Sequence, residues 1–116
     1  MKNCTSVRTT LKVVGGKWKP LILWLLTNNT LRFNELHKNI DGVTQKMLTQ
    51  QLRELEKEGL IKRKVYAVVP PKVEYSLTEY GKSLQPVLKM MAKWGKEHRV
   101  TMLRENMNMV NKNNIA

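Results

Sequence analysis

The stretch TQKMLTQQLRELEKEGLIKRK (Thr44 to Lys64) constrains this chain more than any other, because it holds a helix, its stop signal and the start of a strand. At about 100° per residue, Leu48, Leu52 and Leu55 fall within about 60° of one another and must face a core. Thr44 is suited to cap the start of the helix. Gly59 is placed for a left-handed cap at its end, and Leu60 beyond it can reach back to Leu55. Lys46, Gln50, Arg53 and Lys57 occupy a second arc of about 60° opposite the leucines, with Thr49 on its edge. That arc contains no carboxylate. A face that only has to stay wet usually mixes acids with bases, whereas this one offers hydrogen bonds and positive charge alone. Arg and Lys pair with guanine edges or phosphate, and Gln can grip adenine. A merely solvated basic face is the simpler alternative, so the surroundings decide.

Upstream, Val7, Leu11 and Val14 recur at helical spacing until Gly15-Gly16 ends the first helix. A second helix is predicted from about Lys17 to Thr27, carrying Trp18, Leu21, Ile22, Leu25 and Leu26, with Pro20 tolerated in its first turn. TNNT makes a turn, and LRF is extended enough for an isolated edge strand. FNELHKNI sets Phe33, Leu36 and Ile40 on one face of a short third helix, which Asp41-Gly42 breaks. Downstream, Ile61 to Tyr66 and Val73 to Leu77 predict a hairpin whose long tip contains Pro70-Pro71. Thr78 is expected to cap a long helix with Leu84, Leu88, Met91, Gly95, His98 and Met102 on one stripe. Pro86 should bend it. After Arg99 the apolar phase passes to Leu103, Met107 and Val110, which predicts a break, and NKNNIA should fray.

Short helix, tight turn, second helix and hairpin are the order of a winged helix-turn-helix. The expected fold is therefore mainly α with a small β-hairpin, in one domain over residues 1–116, a length that suits a single core. The charge agrees: 21 Lys plus Arg against 9 Asp plus Glu give +12, which favours a polyanionic partner. The basic helix would enter the major groove. Arg63, Lys64 and Lys72 would form the DNA-binding wing, beside the backbone or minor groove.

Other functions find little support. The longest apolar run, PLILWLL (Pro20 to Leu26), is far below the ~18 residues of a membrane span, and the start MKNCTS is too polar for a signal peptide. A lone cysteine makes no internal disulfide, so a cytoplasmic protein is expected. His37 and His98 stand too far apart to suggest a metal site. The nine carboxylates are scattered, and no nucleophile, base and orienting group can be assembled. Neither enzyme, metal nor cofactor is expected. Trp18, Trp24 and Trp94 look like core or dimer anchors.

Four segments carry a more specific signal: GGKWKPLILWLL, RFNELHKNIDGVTQKMLTQQLRELEKEGLIKRKVY, PPKVEYSLTEYGKSL and WGKEH. Together they resemble the HxlR-type winged-helix transcriptional regulators, bacterial relatives of the MarR family. The resemblance runs from Cys4 to about His98 and leaves residues 99–116 as a C-terminal extension. It implies a homodimeric, sequence-specific regulator of double-stranded DNA, a repressor on a pseudo-palindromic operator. By position, the recognition helix is Thr44 to Glu58, with Thr44, Gln45, Lys46, Thr49, Gln50, Arg53 and Lys57 as DNA-binding residues; the wing centres on Pro70-Pro71. N- and C-terminal helices would supply the dimer contacts, here Val7, Leu11, Leu84, Leu88, Met91, Trp94, Gly95, His98 and Met102. The alternative of another class is a winged-helix interaction module that binds protein or an acidic surface through its basic face.

Cys4 stands just before the first helix with Lys2 and Arg8 near in sequence, and helix N-termini and cations favour the reactive thiolate. Some members of the family sense oxidants or electrophiles through an N-terminal cysteine, so Cys4 is a candidate redox thiol and an effector a candidate partner. Here CTSV departs from the commoner Cys-Pro start, and no second cysteine in the chain can resolve an oxidised one.

Overall fold

Three leucines of one helix organise the first part of the molecule. In the computed structural model, which describes residues 4–114, Leu48 and Leu55 are fully buried and Leu52 nearly so. They lie on α4 (Gln45–Lys57), which follows α1 (Thr5–Val14), α2 (Lys19–Leu25), β1 (Leu31–Arg32) and α3 (Phe33–Asn39). Beyond it come β2 (Ile61–Tyr66), β3 (Lys72–Leu77), α5 (Glu79–Lys82) and α6 (Gln85–Asn114). Contacts divide the chain into two compact units, parted between Gln85 and Pro86. The core of the first unit adds Ile22, Leu23 and Leu26 of α2, Leu36 of α3, Ile40 and Val43 of the turn, and Leu60, Ile61, Tyr75 and Leu77.

The expected hairpin forms, with Ile61 opposite Leu77 and Tyr66 opposite Lys72. Leu31-Arg32 is not an isolated strand, however. It pairs antiparallel with β3, Leu31 opposite Tyr75 and Arg32 opposite Glu74, giving a three-stranded sheet in the order β1-β3-β2. Two residues suffice because Arg32 already begins α3: its backbone N–H donates to the Glu35 carboxylate at 2.9 Å, a helix-capping contact.

Local stop signals act as their chemistry dictates. Thr44 caps α4 by accepting from the Met47 N–H at 3.1 Å. At the other end Gly59 takes φ +77°, its N–H bonds to the Glu56 carbonyl, and the Leu60 N–H reaches the Leu55 carbonyl at 3.0 Å. That is the Schellman closure, which needs a residue without a Cβ at the left-handed position.

The region after Thr78 departs from expectation. Thr78 does cap a helix, accepting from the Gly81 N–H at 2.9 Å, but α5 ends after one turn at Lys82. A new helix starts at Gln85, so Pro86 lies in its first turn, where a missing N–H costs nothing, and not inside a helix begun at Thr78. α6 then runs unbroken through Arg99 to Asn114. The change of apolar phase there does not end the helix, and Met102, Leu103, Arg104, Glu105, Met107 and Met109 are residues that favour helix. Asn111 to Asn114 are helical rather than frayed; Ile115 and Ala116, like Lys2, lie outside the described residues.

Candidate nucleic-acid interface

α4 emerges from a tight turn whose floor is apolar. Ile40 and Val43 are buried, and between them Gly42 takes φ +83°, a left-handed conformation that glycine adopts without strain. The turn therefore delivers Thr44 and the start of α4 at a fixed angle. Gln45, Lys46, Gln50, Arg53 and Lys57 are all exposed. Thr49 is half-buried, its hydroxyl donating to the Gln45 carbonyl at 2.8 Å. Gln45, Lys46, Thr49, Gln50, Arg53 and Glu54 line one surface groove of about 500 Å³. Lys57 lies outside that groove, near the end of the helix. Neither Lys46, Arg53 nor Lys57 forms an ion pair among the described residues.

The acidic residues at the end of α4 are held by a clamp that the sequence does not disclose. Lys19 of α2 places its Nζ 3.0 Å from Glu54 Oε2 and 3.2 Å from Glu58 Oε1. Burial alone would pull the Lys19 ammonium below its ordinary pKa, but hydrogen bonds from it to Glu54 and Glu58 and the charges of both raise it. The hydrogen bond from Lys19 in turn holds the Glu54 carboxyl below the usual carboxylate range. Two carboxylates that would repel phosphate thus already have a cation, while the basic side chains of the ridge have no carboxylate partner among the described residues.

The wing residues sort onto two faces of the sheet. Register pairs Arg63 with Tyr75, on the face of buried Ile61 and Leu77. Arg63 accordingly does not extend the wing tip. It shares a hollow of about 190 Å³ with Thr49, Leu52, Arg53 and Glu56 of α4 and with Tyr75, which sets it beside the exposed ridge of α4. Lys64 and Lys72 lie on the other face, and Lys72 is not open to solvent in the way expected. Its Nζ is 2.8 Å from Glu74 Oε1. This pairing was legible as two residues at i, i+2 on one strand, which share a face.

Among the residues expected at a dimer contact, Val7 and Leu11 of α1 are each 56% exposed, and Met91, Trp94, His98 and Met102 of α6 are exposed. Leu88 is buried, and Leu84 and Gly95 are half-buried. Leu88 is thus no surface residue, since a side chain already out of water gains little from a second partner. The exposed apolar set lies one residue over: Val87, Met90, Met91 and Trp94 line, with Pro86, a groove of about 700 Å³. Trp94 stacks on His98 with ring centroids 4.8 Å apart. Trp24 is exposed and Trp18 half-buried, so neither is a core anchor. Cys4 is exposed at the N-cap of α1, and its carbonyl accepts from the Arg8 N–H at 3.1 Å. Among the described residues no His, Cys, Asp and Glu gather into a metal cluster, and no helix is long and apolar enough to cross a membrane.

A basic helix displayed after a tight turn and flanked by a β-hairpin defines a DNA-binding protein of the winged helix-turn-helix class. The chain belongs to the HxlR-like helix-turn-helix family, whose profile matches residues 13–106. It is 57% identical over 93 residues to YtcD, an uncharacterized HTH-type transcriptional regulator of Bacillus subtilis (strain 168), covering 80% of this chain and 74% of that one. YdeP of the same organism, described likewise, is 54% identical over 93 residues, with 80% and 73% covered. The solved structure of the redox regulator HypR in its reduced form is similar with a TM-score of 0.80 and 46% identity, over 85% of this chain and 98% of that chain. The family and these relatives are transcriptional regulators, DNA-binding proteins rather than enzymes.

Proposed function

We propose that the chain works in the cytoplasm as a homodimer that occupies a pseudo-palindromic operator and represses by occupancy, one α4 in the major groove of each half-site. The observation that carries this reading is the ridge of α4, where Lys46, Gln50 and Arg53 stand exposed in one groove with side chains matched to base edges and phosphate. Footprinting on the DNA upstream of its own gene tests it. Two protected half-sites about 34–36 Å apart are expected for a dimer of this kind; protection that an equal mass of unrelated DNA abolishes would contradict it.

Dimerisation is supported by apolar surface on both terminal helices: Val7 and Leu11 on α1, and Val87, Met90, Met91 and Trp94 on α6. Soluble monomers rarely leave contiguous apolar surface such as the α6 groove open, and a second copy offers the same surface across a two-fold axis. Met91→Lys would place an unpaired charge in that seam and is expected to sediment as a monomer or precipitate, where the wild type sediments as a dimer. A wild type that is monomeric at micromolar concentration would exclude the seam.

Cys4 is the proposed route for an oxidant signal. It is exposed one turn before the seam residue Val7, and HypR, a similar protein, is described as a redox regulator with oxidised and reduced structures. Diamide, which takes two hydrogens from a pair of thiols, is expected to join two Cys4 side chains and release DNA until a thiol reductant is added. Cys4→Ser should stay bound. If both proteins respond alike to diamide, Cys4 is a bystander.

A further inference from the structure

The face of the sheet turned away from the core holds a cluster that the DNA-binding reading has not used. Register brings Arg32, Lys64 and Glu74 side by side across the three strands, with Lys62 and Ser76 at one end and Tyr66 and Lys72 at the other. Glu74 is the one carboxylate in those strands. Both of its oxygens are engaged: Oε1 meets Lys72 Nζ at 2.8 Å, and Oε2 accepts from the Tyr66 hydroxyl at 3.1 Å. The Tyr66 ring in turn lies under two ammonium groups, Lys64 at 4.8 Å and Lys72 at 5.0 Å from its centroid. The hydrogen bond from Lys72, followed by that from Tyr66, holds the Glu74 carboxyl below the usual range.

Lys72 thus spends its charge within the sheet, whereas Lys64, opposite Glu74 in register, lies over the Tyr66 ring and forms no ion pair among the described residues. A carboxylate on an ammonium resembles a phosphate on an ammonium in charge and geometry. We infer that Glu74 is a built-in competitor for phosphate: it holds Lys72 in the unbound wing, with Tyr66 fixing the carboxylate, and so limits how many cations the wing offers to DNA. The consequence is specificity. A wing with one cation withheld binds the backbone of any sequence less well, and discrimination is left to the ridge of α4. The inference rests on the α4 reading, and its test keeps the two apart.

The test uses the full chain, a duplex carrying the footprinted operator and a duplex of random sequence, with affinity measured by fluorescence anisotropy over a salt series. Glu74→Gln keeps an acceptor for Tyr66 and removes the charge. It should tighten binding to the random duplex several-fold, narrow the ratio between operator and random duplex, and steepen the salt dependence by about one unit, the signature of one added phosphate contact. Lys72→Gln should cost less in the wild type than in the Glu74→Gln background, where it should abolish the gain. Tyr66→Phe removes only the hydroxyl and should move binding the same way by less, which keeps the question answerable if Glu74→Gln does not fold. Glu74→Gln binding that is weaker or unchanged, or Lys72→Gln costing as much in the wild type as in the double mutant, overturns the inference and makes the pair an orienting contact or a bystander. A folded wild type that discriminates between neither duplex refutes the α4 reading first, and this one with it.

Discussion

Gly81→Ala is expected to destabilise the first unit by about 3 kcal/mol, more than any single change on the recognition ridge should. Gly81 is buried, and a Cβ there would fall on the carbonyl of Leu60. That oxygen is backbone and accepts from the Thr78 N–H at 3.1 Å, while the Thr78 hydroxyl donates to the Gly59 carbonyl at 2.6 Å. The conflict cannot be relieved by turning a side chain. α5 must draw back, or the Gly59-Leu60 corner that closes α4 must give way. Gly95 provides the contrast, because a Cβ there meets nothing within 4 Å and alanine favours helix over glycine by about 1 kcal/mol. Gly95→Ala should therefore raise the melting midpoint slightly or leave it unchanged. Urea titrations of the two variants decide the matter, and a Gly81→Ala protein within about 1 kcal/mol of the wild type would show that the corner yields more easily than its hydrogen bonds imply.

How much of this was legible in the sequence depends on the range over which each feature is determined. α4 was readable to its ends because Leu48, Leu52 and Leu55 set its period and Thr44 and Gly59 act within a turn of themselves. The pairing of Leu31-Arg32 was not, since two residues carry no periodicity and the partner strand lies far along the chain. Thr78 does cap a helix, but that helix stops after one turn at Lys82, four residues before Pro86, which cannot bond back to the Lys82 carbonyl. Once α5 has ended, Pro86 becomes a helix-starting residue rather than a bend. The apolar phase after Arg99 predicts a break, yet phase reports which face seeks cover and not whether the backbone stays helical. At the site, the ridge was visible from spacing alone. The Lys19 clamp on Glu54 and Glu58 joins separate helices and had no sequence signal. Placing Arg63 beside Arg53 needed the register of the sheet, whereas Lys72 and Glu74 share a face by their spacing on one strand.

Arg53→Ala carries the second large expectation and bears on the central claim. Arg53 lies on the exposed ridge with Gln50 and Lys46, and it also borders the hollow that holds Arg63. Its side chain touches solvent rather than the core, so its removal should leave the fold alone. If it grips a guanine edge with two hydrogen bonds, its loss costs about 1–3 kcal/mol on the operator and far less on unrelated DNA. The decisive measurement is the ratio of affinities for the footprinted operator and a random duplex, at one fixed salt concentration, for wild type and Arg53→Ala. The expected result is a ratio that falls by at least several-fold in a mutant with a normal melting curve. An unchanged operator affinity in that folded mutant would contradict the assignment of α4 as the helix that reads DNA.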